Sequence, residues 1–169
     1  MEKADKVVLK SKGKDSARNS SEENEVEEEK TYNEEFDVLG EGSCQFDPQD
    51  TEIDFVMAYR IRKIENLEQN INLKSLHLRK NQIRKIEGLD KNLLLEDLEL
   101  YDNKIRVIEN ISHLKSLQIL YLSFNLIREM ACLCGFPFLK KIYLPSNKIS
   151  KIEALYDLPL LEIQFSKFY

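Results

Sequence analysis

Few residues in this chain are of the types that perform acid–base, nucleophilic or metal chemistry. The only histidines are His77 and His113, and the only cysteines are Cys44, Cys132 and Cys134. A zinc site needs about four such ligands at regular spacing, and a nucleophile needs a base beside it. Neither arrangement can be built from these spacings, so Cys132 and Cys134 are expected to be packing residues. We therefore expect no enzyme, no catalytic or metal site, and no cofactor.

The recurring chemistry is instead that of non-covalent binding. His77, Glu99, Tyr121 and Tyr143 follow one another at intervals of 22 residues. Tyrosine is common at protein interfaces because it buries a large apolar ring and keeps a polar tip. Such a series forms one surface only if the fold places residues 22 apart side by side.

The whole second half of the chain repeats at that interval. Four consecutive units read LxxLxLxxNxIxxIxxL, which is the leucine-rich-repeat pattern. Four units in strict register do not arise by chance. The members of the most regular series are Asn81, Asn103, Asn125 and Asn147; Leu73, Leu95, Leu117 and Leu139; and Leu78, Leu100, Leu122 and Leu144.

The pattern predicts a coil with one short strand in each repeat. Alternation in LxL is a strand signal, so Leu76 and Leu78 point inward and His77 points outward. Parallel pairing requires each repeat to return along the far side. We therefore predict an α/β leucine-rich-repeat solenoid of 22-residue repeats, with parallel strands on the concave face and short helical or 3-10 segments on the convex face.

The asparagines of the repeat are predicted to be structural. An amide both donates and accepts hydrogen bonds, so it can satisfy buried backbone groups where the chain turns inward. A buried amide is tolerable only if it is bonded in this way. Ligand binding is not expected of them.

Composition divides the chain into three parts. Residues 1–50 carry 7 basic and 15 acidic residues, whereas residues 51–169 carry 18 and 15. We expect residues 1–45 to be a disordered acidic leader because they contain little apolar surface to bury. Residues 46–68 are predicted to form an N-terminal cap and partial repeat, and residues 69–169 the repeats, four full and an irregular last one.

The last unit does not keep the 22-residue register. From Leu161 the in-register positions fall on polar residues, whereas a 21-residue spacing places Leu160, Ile163, Phe165 and Phe168 in the pattern. The segment therefore forms either a last strand or an early end of the solenoid.

Composition also excludes several partners. No stretch has the length and apolarity of a membrane span or a signal peptide. The near-neutral repeat region lacks the dense basic patch of a nucleic-acid-binding protein. We expect neither nucleic acid nor membrane as a partner, a monomer apart from its partner, and a location in nucleus and cytoplasm.

Several phrases carry a family resemblance. They are FDPQDTEIDF, YRIRKIENLE, LELYDNKIRVIENI, LYLSFNLIREM and IYLPSNKISKIEAL, between residues 46 and about 161. Together they resemble the leucine-rich regulatory subunits of type-1 protein serine/threonine phosphatase. The resemblance implies a non-enzymatic regulator that binds the phosphatase catalytic subunit through its concave face. The alternatives are a scaffold or adaptor of the same fold for a different protein and, third, a component of a ribonucleoprotein.

The resemblance also implies where the phosphatase is held and where this chain departs from the family. Acidic and aromatic side chains on successive concave strands hold the enzyme in that family. Tyr143 fits this character, but Tyr121 stands where an acid is expected. Family members continue through more repeats, so we expect a short or truncated member that binds through part of the surface and more weakly. The predicted partner-binding residues are His77, Glu99, Tyr101, Ile119, Tyr121, Phe124 and Tyr143.

Overall fold

The computed structural model describes residues 46–55, 61–129, 133–150 and 157–164. Within these ranges the only regular elements are six strands of three residues, one for each coil. They are β1 (Glu52–Asp54), β2 (Ser75–His77), β3 (Asp97–Glu99), β4 (Ile119–Tyr121), β5 (Lys141–Tyr143) and β6 (Glu162–Gln164).

The strands form one parallel sheet in chain order, β1-β2-β3-β4-β5-β6. Leu76 pairs with Leu98, and Leu98 with Leu120, so the sheet register equals the sequence repeat. This confirms the predicted parallel-strand solenoid with turns of about 22 residues. The return segments differ from expectation, because their described residues form turns rather than short helical or 3-10 segments.

The core is a column of stacked aliphatic side chains. In β1 to β5 the middle residue is buried and its two neighbours are half-buried, as alternation requires. At the first coil, the Phe46 ring packs edge-on against Phe55 with 6.4 Å between centroids. The buried series include Ile61, Ile64 and Leu67; Leu73, Leu95, Leu117 and Leu139; and Ile83, Ile105 and Ile127.

The repeat asparagines form a hydrogen-bonded ladder between coils. Asn103 Oδ1 accepts from the backbone N–H of Ile83 at 3.0 Å, and its Nδ2 donates to the carbonyls of Leu78 at 2.9 Å and Leu100 at 3.2 Å. Each of the other three asparagines has equivalent partners one coil away. The predicted structural role is therefore confirmed by geometry.

A second buried asparagine position was not predicted. Asn70 and Asn92 are at most 1% exposed, and Asn92 Nδ2 donates to the carbonyls of Leu67 and Asn70 at 3.1 and 2.9 Å. In the next two repeats the equivalent residues are Leu114 and Phe136, both fully buried. Two amides followed by two hydrocarbons at one position leave no regular signal in the sequence.

The last coil forms a strand, which resolves the ambiguity left by the sequence. Ile163 pairs with Ile142, a spacing of 21 residues. The expected inward position of Leu160 was wrong, because its side chain is 48% exposed while Leu161 packs against the core. The register therefore shortens between Leu161 and the strand.

Some predictions concern residues outside the described ranges. These are the acidic leader at 1–45, including Cys44, the core positions that the repeat pattern assigns to Met130, Ile152 and Leu155, and the positions of Phe165 and Phe168. Cys132 also lies outside, whereas Cys134 is a half-buried free thiol.

Two glycines adopt left-handed backbone conformations but differ in their surroundings. Gly88 has φ of 71°, and a Cβ added there would lie 2.1 Å from the carbonyl oxygen of Ile64 in the preceding coil. Gly135 has φ of 69°, and the nearest atom to its added Cβ is the flexible Lys115 Nζ at 3.6 Å. The two positions therefore separate conformational strain from steric overlap.

We expect Gly135→Ala to lower the free energy of unfolding by about 1–2 kcal/mol, the cost of an alanine in the left-handed region. Gly88→Ala should cost a further ~1–3 kcal/mol because the adjacent coil must move. Urea unfolding of both variants measures the difference. Equal destabilisation by the two substitutions would show that Gly88 is needed for its φ alone.

Candidate protein-binding surface

The concave face consists of the side chains that alternate with the buried middle residue of each strand. The pairing places His77 beside Glu99, Glu99 beside Tyr121, and Tyr121 beside Tyr143. Neighbouring strands in a sheet lie about 4.8 Å apart, so these side chains form one continuous row. The fold therefore brings together four of the seven predicted partner-binding residues.

The part of the concave face formed by β1 to β3 is charged. His77 Nδ1 lies 4.0 Å from Asp54 Oδ2. Three polar atoms there are buried without a hydrogen-bond partner in the described part of the chain: Asp54 Oδ1, Asp97 Oδ1 and Arg79 Nε. Unsatisfied polar groups cost free energy, and a partner that supplies donors and acceptors would recover it.

Burial changes the pKa values of two acidic residues on this part of the concave face, Asp97 and Glu99. Burial raises the pKa of Asp97, with His77 opposing the shift and Glu52 adding to it. Burial also raises the pKa of Glu99, against the attraction of Arg79 and His77. The negative charge of both side chains is therefore less favourable in the fold than in the unfolded chain.

The part formed by β4 and β5 is aromatic. The rings of Tyr121 and Tyr143 stack with 4.6 Å between centroids and 5° between planes. Burial, followed by the charge of Asp97, raises the pKa of Tyr121, so its hydroxyl stays protonated at neutral pH. The stack places two aromatic rings and two hydroxyls side by side, next to the acids of the preceding coils.

A second aromatic pair lies where the strands end. The rings of Tyr101 and Phe124 are 5.1 Å apart and tilted by 55°. Phe124 is 48% exposed and has a left-handed φ of 57°. That conformation is rare for a bulky residue, whereas the residues at the equivalent positions are polar: Lys80, Asp102 and Ser146.

The remaining predicted residue, Ile119, lies half-buried on the concave side of β4, between Asp97 and Lys141 in register. The sequence interpretation missed Asp54 as a site residue because β1 was not recognised as a strand. The alternation Glu52-Ile53-Asp54-Phe55 was the available signal. Arg79 and Asp97 also belong to this surface and were not among the predicted partner-binding residues.

The described residues show no arrangement for metal chemistry. They contain no group of three or more His, Cys, Asp or Glu side chains placed to hold a metal ion. His113 lies away from the concave face, with Nε2 at 3.0 Å from the carbonyl oxygen of Leu89. Over the same ranges, no helix has the length and apolarity to cross a membrane.

Solved structures similar to this one are leucine-rich-repeat proteins. The Drosophila melanogaster SNF/U2A′ complex matches with 28% identity and a TM-score of 0.57, over 70% of this chain and 74% of that one. An internalin from Listeria monocytogenes matches with 23% identity and a TM-score of 0.53, over 69% of this chain. A TLR13–ssRNA13 complex matches with 19% identity and a TM-score of 0.55, over 76%.

This chain spans only 39% of the internalin and 23% of the TLR13 chain. No family model and no curated protein sequence matches it. The likenesses establish the leucine-rich-repeat fold, which serves as a scaffold for binding.

The pKa shift of Asp97 has a consequence for stability. Because its pKa is raised above 3.8 in the fold, the ionised side chain opposes folding at neutral pH and the cost disappears below that pH. Asp97→Asn should therefore increase the free energy of unfolding at pH 7 but not at pH 3. Urea unfolding at both values checks this, with Asp90→Asn on an exposed turn as the control. A gain that persists at pH 3 would contradict the assignment.

The left-handed backbone conformation of Phe124 leads to a separate prediction. Asparagine tolerates the left-handed region, so Phe124→Asn should stabilise the fold by about 0.5–1 kcal/mol despite losing the contact with Tyr101. Phe138 is similarly exposed, at 55%, without a positive φ. Phe138→Asn should thus give no gain in thermal or urea unfolding. Destabilisation by Phe124→Asn would show that ring packing outweighs backbone strain.

Proposed function

We propose that the chain is a non-enzymatic regulatory subunit that binds the catalytic subunit of a type-1 protein serine/threonine phosphatase through its concave face. The observation that carries the proposal is the continuous row of His77, Glu99 and the stacked Tyr121–Tyr143 pair. An acidic part followed by an aromatic part has the character that the sequence resemblance implies for this partner.

The unpaired polar atoms and the aromatic rings of the concave face also support a protein as the partner. Asp97 and Asp54 each have a buried oxygen without a hydrogen-bond partner in the described ranges, so donors from a second protein would be bound favourably. Tyr121 and Tyr143 offer a rigid apolar area that loses little side-chain entropy on binding. We further propose that the chain is monomeric apart from this partner and resides in nucleus and cytoplasm.

A second candidate is a scaffold for a different protein. The structure of U2A′ in complex with SNF is 28% identical to this chain, more than the internalin or TLR13 structures. A fold that holds another protein in that complex could hold another protein here. The concave face would be the same, but the phosphatase would not bind to it.

The test is titration calorimetry of the full chain with the purified type-1 catalytic subunit. We expect Tyr121→Ala and Tyr143→Ala each to raise Kd by about tenfold or more, as central aromatic residues of interfaces do. The matched control is Phe138→Ala, which removes an exposed aromatic ring from the turn before β5 and should leave Kd unchanged.

Two results would contradict parts of the proposal. Binding of the catalytic subunit that is unaffected by both tyrosine variants would place the interface elsewhere on the chain. No binding by the natural chain at tens of micromolar would exclude the phosphatase and favour the scaffold for another protein.

A further inference from the structure

A basic series runs along the solenoid on a surface that the concave face does not use. Arginine occurs three residues after each of three repeat asparagines, at Arg84, Arg106 and Arg128, and all three are exposed. Lys104 and Lys148 follow their own asparagines directly and are also exposed. We call these five residues the arginine stripe.

Backbone contacts hold the stripe together. The N–H of Arg128 donates to the carbonyl of Arg106 at 3.0 Å, and the N–H of Lys148 donates to the carbonyl of Ile127 at 2.9 Å. Arg106, Arg128 and Lys148, with Leu126, line a shallow cleft between the coils. Three cations thus line one cleft, and none of the described residues that line it is acidic.

The stripe has no internal counter-charge among the described residues. The described part of the chain pairs Lys63 with Glu65 and Lys85 with Glu87, and none of its ion pairs involves a member of the stripe. Five unpaired cations at short intervals repel one another and attract a polyanion.

The chain itself contains a polyanion of matching size. Residues 22–35 include eight glutamates and one lysine, which gives a net charge of about −7 if each carboxyl is ionised. The segment contributes to the excess of acidic residues in 1–50, and the stripe contributes to the excess of basic residues in 51–169.

The acidic segment is tethered close enough to reach the stripe. Ten residues separate Glu35 from Phe46, where the described chain begins, and the eleven steps between these two Cα atoms span at most about 36–40 Å. Phe46 packs beside β1, and the farthest stripe residue, Lys148, follows β5, which is four strand spacings of about 4.8 Å, or roughly 19 Å, along the sheet. A tether of this length gives an effective concentration on the order of millimolar.

We propose that the arginine stripe binds the chain's own acidic segment, residues 22–35. The contact is electrostatic and intramolecular, and it lies away from the concave row. It leaves that row open to a protein partner while it excludes other polyanions, such as single-stranded RNA, from the stripe. The proposal does not depend on the identity of the concave partner.

The test is zero-length carbodiimide crosslinking of the full chain, read by mass spectrometry. Glutamates of residues 22–35 should link to Lys104 and Lys148 at least about fivefold more than to Lys91, an exposed lysine on another part of the coil. Because salt screens the attraction, 500 mM NaCl should abolish the preference. Arg106→Gln with Arg128→Gln should also reduce it, while Lys91→Gln should not. Equal linkage to Lys91 would overturn the proposal.

Two further experiments identify what binds to the arginine stripe. In an equal mixture of ¹⁴N- and ¹⁵N-labelled chains, the links should stay within one isotope; mixed links would assign the stripe to a second copy and overturn the intramolecular contact. A 20-nucleotide oligouridine should bind several-fold more tightly when Glu22, Glu23, Glu25, Glu27, Glu28 and Glu29 are replaced by glutamine. Equal RNA binding by the natural chain would mean that the leader does not occupy the stripe.

Discussion

The hydrogen bonds of the repeat asparagines are the constraint on which this fold depends. A coil of 22 residues with a three-residue strand leaves most of its backbone without sheet partners. Asn103 satisfies one N–H and two carbonyls that belong to two adjacent coils. Unpaired buried groups of this kind cost about 1–3 kcal/mol each, so no hydrocarbon could take the place of the amide. The leucine column supplies the apolar burial, but the amide ladder fixes the spacing at which the leucines can stack.

That fixed spacing turns a one-dimensional series into a surface. Two residues 22 apart become neighbours on adjacent coils. The residues at one position of the repeat therefore determine the chemistry of one face. The position after the first LxL leucine gives His77, Glu99, Tyr121 and Tyr143, a row that changes from charged to aromatic. The position three after the asparagine gives the arginine stripe. Two surfaces of different chemistry therefore coexist on one scaffold without sharing a side chain.

Features set by the repeat could be predicted from the sequence, and features set by single coils could not. The strands around Leu76 and Leu98 and the roles of the asparagines follow from local physics repeated four times. Asn70 and Asn92 escaped because Leu114 and Phe136 occupy the same position in later coils. Their amides bond backbone carbonyls, whereas the hydrocarbons fill the same space, and only the three-dimensional neighbours decide which is tolerated. The candidate site was predicted for its central row, but Asp54 was missed since β1 lacks the leucines that mark β2 to β5.

The Phe124 conformation shows how the scaffold also carries strain. The residue before each repeat asparagine must be left-handed for the amide to reach both coils, and φ lies between 55° and 57° at Lys80, Asp102, Phe124 and Ser146. Three of these residues are polar, and the fourth is a bulky ring that is 48% exposed. Neither solvation nor backbone preference favours phenylalanine there. Its contact with Tyr101 provides only part of the compensation, so the ring is best explained by a surface that gains from contact with a partner. The strain thus falls in the same aromatic part of the concave side that the tyrosine stack occupies.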